Sequence, residues 1–289
     1  MSPFHQAPLT ADFPWPAPAK INLFLHVTGR HADGYHDLQT VFQFLDHGDS
    51  LFFRPRGDGL CQRIGGLEQV PPEQDLAIRA AELLSRASGC ELGADIRIEK
   101  RLPLGSGLGG GSSNAATTLV ALNRLWNLGF TRDELAALGL KIGADVPVFI
   151  HGHASFAEGV GERLSTIELP EPWFLVVTPP VAVSTRAVFT DPALKRDTPR
   201  LSMHQFRTGS GVGNDCEAVT RARYPLVDEA LRWLSQFGNA RMSGTGASVF
   251  AAFASRPEAL MARAQTPVGW SSFIARGLNE SPLARLRAG

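Results

Sequence analysis

Lysine is scarce. Of the 28 Lys and Arg side chains only four are lysine, namely Lys20, Lys100, Lys141 and Lys195. The 28 acidic residues cancel the basic ones to a formal net charge of zero, which argues against a nucleic-acid binder or a polybasic membrane-surface protein. A local patch that takes phosphate stays open. The three cysteines, Cys61, Cys90 and Cys216, lie far apart with no CxxC pair, so neither a disulfide framework nor a zinc ribbon is expected. No apolar run approaches the roughly 18 residues needed to span a bilayer. The N-terminal MSPFHQAPLTADFPWP has neither the basic nor the apolar region of a signal peptide. The expectation is a cytoplasmic protein with no nucleic-acid, membrane or obligate protein partner.

What is present is a chain of 289 residues, 44% hydrophobic, enough for a substantial core in one large or two modest domains. Residues 1–14, rich in proline and polar residues, read as a disordered tail. Beyond them Ile21, Leu23, Leu25 and Val27 alternate with Lys20, Asn22, Phe24 and His26. That period predicts a half-buried strand with Lys20 and Asn22 on its more polar face. The glycine- and proline-rich stretch 56–72 reads as a hairpin or loop. Apolar spacing predicts a helix from Asp75 that ends by Gly89, then a strand over 95–100 and a helix from about 112 to 128. Thr131-Arg-Asp-Glu134 is a capping box that opens another helix. A helix over 225–237 and a strand over 249–253 follow, with a domain boundary placed near 160 at EGVGER.

The densest chemical signal is LPLGSGLGGGSSN, containing Pro103, Leu104, Gly105, Ser106, Gly107, Leu108, Gly109, Gly110, Gly111, Ser112 and Ser113. Without Cβ atoms the backbone can fold tightly and aim its N–H groups into one concavity, and a following helix adds its positive end. That combination suits an anion with several oxygens, such as a triphosphate. Gly105, Gly107 and Gly110 also match GxGxxG, but a dinucleotide site needs an acid about 20 positions on at a strand end. The nearby acids Asp133 and Glu134 sit in the capping box instead. Nor does Lys-Ser/Thr follow, as a Walker A loop requires. Lys20 could simply keep its ammonium at the rim. Asp145, before Val-Pro, could be an N-cap or a carboxylate poised to take a proton. SGTGAS, 243–248, could be an ordinary turn. His151 and His153 lack an evident third ligand and read as structural.

Taken together, these segments resemble the GHMP kinase superfamily from about Pro16 to the C-terminal SPLARLR. The resemblance rests on PAKINLFLHVTGRHADGYHDLQTVFQFLDHGD, LPLGSGLGGGSSNAATTLVALN, GADVPVFIHGHASFAEGVGE and MSGTGASVFAAF. ADGYH and GADVPVF narrow it to the branch that acts on 4-diphosphocytidyl-2-C-methyl-D-erythritol. It implies an α+β fold of two domains: an N-terminal ATP-binding α/β domain over 15–160, and a C-terminal ferredoxin-like α/β domain over 161–289 that completes a substrate cleft. It also implies transfer of the γ-phosphoryl group of ATP, with Mg²⁺, to the tertiary 2-hydroxyl of that substrate in the non-mevalonate isoprenoid route. Lys20 and Asp145 match the catalytic positions, and residues 103–113 match the ATP-phosphate segment, with Ser112 the best candidate to reach the metal. Asn22, Tyr35, His36, Thr185 and Phe189 match the substrate pocket. There Tyr35 and Phe189 would sandwich the cytosine and His36 would read its edge. Ser106 stands where glycine is usual. A homoserine or mevalonate kinase is the nearest rival, since it would keep the glycine loops without needing Tyr35, His36 and Phe189; a dinucleotide-binding oxidoreductase is the more distant one.

Overall fold

The computed structural model describes residues 12–31, 34–65 and 69–286. Most of the expected tail, residues 1–11, lies outside the described residues, as do Ala32 and Asp33 of ADGYH. From Phe13 the chain is packed: its ring meets that of Trp15 edge-on at 5.4 Å, and Trp15 is buried.

Strand β1 (Trp15–Arg30) runs antiparallel to the long β2 (His36–Arg56), with bulges near Lys20, Phe24 and Gly29 that shift its register. The predicted alternation is present, but the strand is buried on both faces rather than one. Ile21 packs among Phe174, Val176 and Phe250, whereas Lys20, Asn22 and His26 are buried on the opposite side. A sheet covered on both faces has no solvent side for a polar residue to reach, so those polar groups must find partners inside.

The segment expected as a hairpin or loop contains an edge strand, β3 (Cys61–Gly65). It lies parallel to β4 (Gly93–Glu99) through α1 (Leu76–Ser88). A parallel partner arrives only after a crossover helix, so no neighbouring turn advertises the pairing. Helix α1 starts and stops where its residues predict: the Asp75 carboxylate caps the N–H of Ala77, and Gly89 closes the end at a φ of 66°. Helix α2 (Gly110–Leu125) begins inside the glycine loop, because Gly109, at φ 73°, serves as its N-cap. Helix α3 (Arg132–Leu140) opens with the Thr131–Glu134 capping box, and α4 (Val146–His151) follows. These four helices cover a core that includes Phe44, Ile96, Leu119 and Phe149. Strands β5 (Ser155–Gly159) and β6 (Arg163–Thr166) extend from the other end of β2.

The second half contains β7 (Trp173–Thr178), α5 (Thr185–Phe189), α6 (Met203–Thr208), α7 (Asp215–Arg223) and α8 (Pro225–Leu234). Then come β8 (Arg241–Met242), β9 (Val249–Phe253), α9 (Arg256–Arg263), β10 (Ser271–Leu278) and α10 (Pro282–Arg285). The strands lie in the order β10-β7-β9-β8, all antiparallel, with α8 and α9 packed on them. This is the ferredoxin-like β-α-β-β-α-β arrangement that the resemblance implies. Strand β10 also pairs with β2, through Gly277–Leu45 and Leu278–Phe44, and so joins both halves in one ten-stranded sheet. Gly277 stands at the crossing, where a Cβ would come within 2.9 Å of both the Gln43 and Phe174 side chains. No helix among the described residues is long and apolar enough to cross a membrane.

Candidate active site

The two glycine loops meet across a cleft of about 570 Å³. Residues 103–112 line it except for Leu108, which turns into the apolar core and whose carbonyl accepts the Lys20 backbone N–H. Gly105, Gly107 and Gly109 all have positive φ, a conformation that costs most other residues about 1–2 kcal/mol. Ser106 keeps its hydroxyl on the Pro103 carbonyl at 2.8 Å, so the exchange for glycine adds nothing that obstructs the cleft. The second loop is bound to the first: the Ser243 hydroxyl donates to the Gly107 carbonyl at 3.0 Å, and the Ser248 N–H to the Ser106 carbonyl at 2.9 Å. SGTGAS is therefore the other wall of the site rather than an ordinary turn. Ser113 lies in the first turn of α2 behind the cleft, its hydroxyl buried without a hydrogen-bond partner among the described residues.

Lys20 is 3% exposed and does not hold its ammonium at a rim. Its Nζ lies 3.3 Å from the Asp145 carboxylate, donates to the Asn22 side-chain oxygen at 2.6 Å and to the Gly107 carbonyl at 3.3 Å, and sits 5.2 Å from the centre of the Phe42 ring. Asp145 occupies the N-cap position of α4, yet its side chain makes no capping bond. Its carboxylate faces Lys20 and remains about one-third exposed. The Asn22 amide is itself fixed: its nitrogen donates to the Thr40 hydroxyl at 2.9 Å, and that hydroxyl donates to the Phe24 carbonyl. A cation, a carboxylate and a glycine-lined loop thus converge, with the donors already oriented.

The approach to the loop has its own support. Asp49, buried within β2, pairs with Lys100 and accepts the backbone N–H groups of Arg101 at 2.8 Å and Leu102 at 2.9 Å. The Asn114 amide nitrogen lies 3.0 Å from the same carboxylate. Neither Asp49 nor Thr40 carries a sequence signal that separates it from an ordinary surface polar residue. Burial alone distinguishes them.

At the far end, Thr185 and Phe189 line the cleft, and the Thr185 hydroxyl lies 3.1 Å from that of Thr245. The His36 ring packs on Phe189 at 5.3 Å with a 31° tilt. Tyr35 is 65% exposed and stands outside the cleft lining. His36 and Phe189 are thus brought together. Burial first, then the nearby Arg196 cation, pushes the His36 pKa down.

The dinucleotide alternative fails on topology. It requires a glycine turn between strand and helix in an open parallel sheet, whereas β4 runs antiparallel to its central neighbour β2. Among the described residues no cluster of three or more His, Cys, Asp or Glu could hold a metal ion, so His151 and His153 do not form one.

Comparison with known proteins agrees with this geometry. Residues 75–153 match the GHMP kinases N terminal domain, and residues 195–266 match GHMP kinases C terminal. The 4-diphosphocytidyl-2-C-methyl-D-erythritol kinase of Alkalilimnicola ehrlichii is 59% identical over 94% of this chain and 94% of its own. That of Nitrosococcus oceani is 56% identical over 93% of this chain and 96% of its own. A crystal structure of 4-(cytidine 5'-diphospho)-2C-methyl-D-erythritol kinase superposes with a TM-score of 0.79 at 33% identity, covering 92% of this chain and 99% of that one. The chain belongs to the 4-diphosphocytidyl-2-C-methyl-D-erythritol kinase family of GHMP kinases, a family of phosphotransferases.

Proposed function

We propose that the protein transfers the γ-phosphoryl group of ATP to the 2-hydroxyl of 4-diphosphocytidyl-2-C-methyl-D-erythritol, a step of the non-mevalonate isoprenoid route. The observation that carries the reading is the 3.3 Å pairing of Lys20 with Asp145 on the floor of the glycine-lined cleft. The loop of residues 103–112 holds the phosphates on its backbone N–H groups and on the positive end of α2. Asp145 accepts the hydroxyl proton as the new O–P bond forms and the bond to the β-phosphate breaks. Lys20, held by Asn22 and Gly107, offsets the charge that develops. A positioned base contributes about 10²–10⁴-fold, and alignment of the two substrates supplies a larger share.

Mg²⁺ is part of this reading. The lack of a protein cage among the described residues fits an ion that keeps waters and binds through phosphate oxygens. Ser112 at the head of α2 and the partly exposed Asp145 carboxylate are the oxygen donors at hand. The metal neutralises phosphate charge when bound.

His36 and Phe189 form the wall for the cytosine ring, with Tyr35 closing from the loop ahead of β2. A stacked base contributes roughly 1–3 kcal/mol. Residues 15–160 form the nucleotide-binding domain, and residues 161–289 complete the substrate cleft. Three free cysteines suit a reducing, cytoplasmic setting. The test is to incubate the protein with Mg·ATP and the cytidine alcohol, then weigh the product. One added phosphate supports the proposal, and unchanged substrate refutes it.

A further inference from the structure

Arg196 lies in the loop after α5, outside every motif that marks the site. Its guanidinium is shared among four acceptors. Nε–H donates to Nε2 of His36 at 3.1 Å, Nη1 to the Leu194 carbonyl at 2.9 Å, and Nη2 to the carbonyls of Phe189 at 3.0 Å and Asp191 at 2.6 Å. Among the described residues no carboxylate forms an ion pair with it. A planar fork that spends its donors on one ring and three carbonyls fixes shape rather than neutralising charge.

Two of those acceptors belong to His36 and Phe189, whose rings pack together where Phe189 lines the cleft's far end. His36 opens β2 in the first half of the chain, and Phe189 ends α5 in the second. One guanidinium therefore ties together two residues that come from distant parts of the chain. It also sets the chemistry of the imidazole. A nitrogen that accepts a hydrogen bond carries no proton, so the ring must be neutral with its proton on Nδ1. An aspartate or glutamate in place of Arg196 would have favoured the imidazolium instead.

We propose that Arg196 is the positioning residue of the base subsite: it holds His36 as the neutral, Nδ1-protonated tautomer and fixes Phe189 beside it, so that the pocket for a cytosine ring is formed before the substrate arrives. The inference rests on the proposed function, because it assigns the His36–Phe189 wall to the nucleobase. Pre-organisation of this kind lowers the cost of binding rather than the barrier to chemistry. Its signature is therefore in KM.

Burial first, then Arg196, and then Arg30 and His31, all disfavour a charged His36. Removing Arg196 deletes one of those contributions and lets the ring take up a proton at higher pH than in the parent. It also frees the ring to rotate away from Phe189.

Two measurements decide the matter. In the unaltered protein at neutral pH, nitrogen NMR of the histidine rings should show His36 with Nδ1 protonated and Nε2 bare, and charging at lower pH than a free imidazole. A bare Nδ1, or a ring that charges at higher pH than a free imidazole, overturns the proposal. In steady-state assays, Arg196→Ala should raise KM for the diphosphocytidyl alcohol about tenfold, the loss of a charge-assisted hydrogen bond. KM for ATP and kcat should stay within about twofold, and KM for the alcohol should worsen further as pH falls. Arg196→Lys should recover only part of the loss, since an ammonium cannot fork across four acceptors. Unchanged KM in a folded Arg196→Ala protein overturns the inference. If Arg196→Ala does not fold, the parent tautomer and Arg196→Lys decide. If the parent itself does not phosphorylate the cytidine alcohol, the proposed function fails, and the NMR result still judges the Arg196–His36 contact on its own.

Discussion

Gly107 and Ser243, one from each glycine loop, lie so close that a Cβ on Gly107 would sit 2.2 Å from the Ser243 carbonyl oxygen. The contact locks the glycine loop of the first half to a turn in the second, and it requires glycine on two counts: space and a φ of 78°.

Gly107→Ala should therefore force the two loops apart. Its KM for ATP should rise at least about tenfold more than that of an alanine that bears only the ~1–2 kcal/mol cost of a positive φ. Gly105→Ala is the control, since its φ is also positive but nothing lies within 4 Å of the added carbon. Nucleotide titrations that show Gly105→Ala as the more damaging change would contradict the loop-to-loop account.

Thr40 acts at one remove. It accepts from the Asn22 amide, which in turn accepts from Lys20. Thr40→Val keeps the shape but removes the acceptor, so the amide nitrogen is left buried without its bond, a cost of about 1–3 kcal/mol. Loss of kcat by about tenfold with KM for ATP unchanged is expected. An effect confined to thermal stability would reduce Thr40 to a packing residue.

Cys216 should be chemically silent. It is fully buried in the core of the second half, and burial pushes its thiol up to about 12. Burial also raises Cys61. Only the thiolate reacts with disulfide reagents. Labelling of the native protein at about pH 8 should spare Cys216 until denaturant is added. Rapid labelling of Cys216 in the native state would mean that this core opens readily.

The helices that carry their own punctuation were legible in the sequence. Asp75 and Gly89 bracket α1, and Thr131 with Glu134 opens α3. Strand β3 was hidden, because its parallel partner lies beyond a helix. Helix α2 starts two residues before the sequence places it, because a glycine run gives no sign of where its backbone turns helical. The motifs named segments that the fold brings to one cleft, but not the direction of each side chain. Leu108 and Ser113 point away from the cleft although their neighbours line it, and only packing decides that. The pairing of Lys20 with Asp145 came from resemblance, since nothing local in either segment points to the other. Asp49, Thr40 and Arg196 matter through burial and hydrogen bonds between distant strands and loops, which periodicity cannot reveal.

Asp145→Asn should lower kcat by at least about 10²-fold, because the amide cannot take the proton. Nucleotide affinity, measured by calorimetry, should stay close to that of the parent. Near-normal kcat in the variant would remove Asp145 from proton transfer.

The most direct test of the account is ADP release from Mg·ATP with three alcohols side by side: the diphosphocytidyl methylerythritol, mevalonate and homoserine. All three fit the same glycine-loop chemistry, and only the first has a base for the His36–Phe189 wall. Turnover of the cytidine alcohol alone is the predicted result; turnover of mevalonate or homoserine with the cytidine alcohol untouched would contradict it.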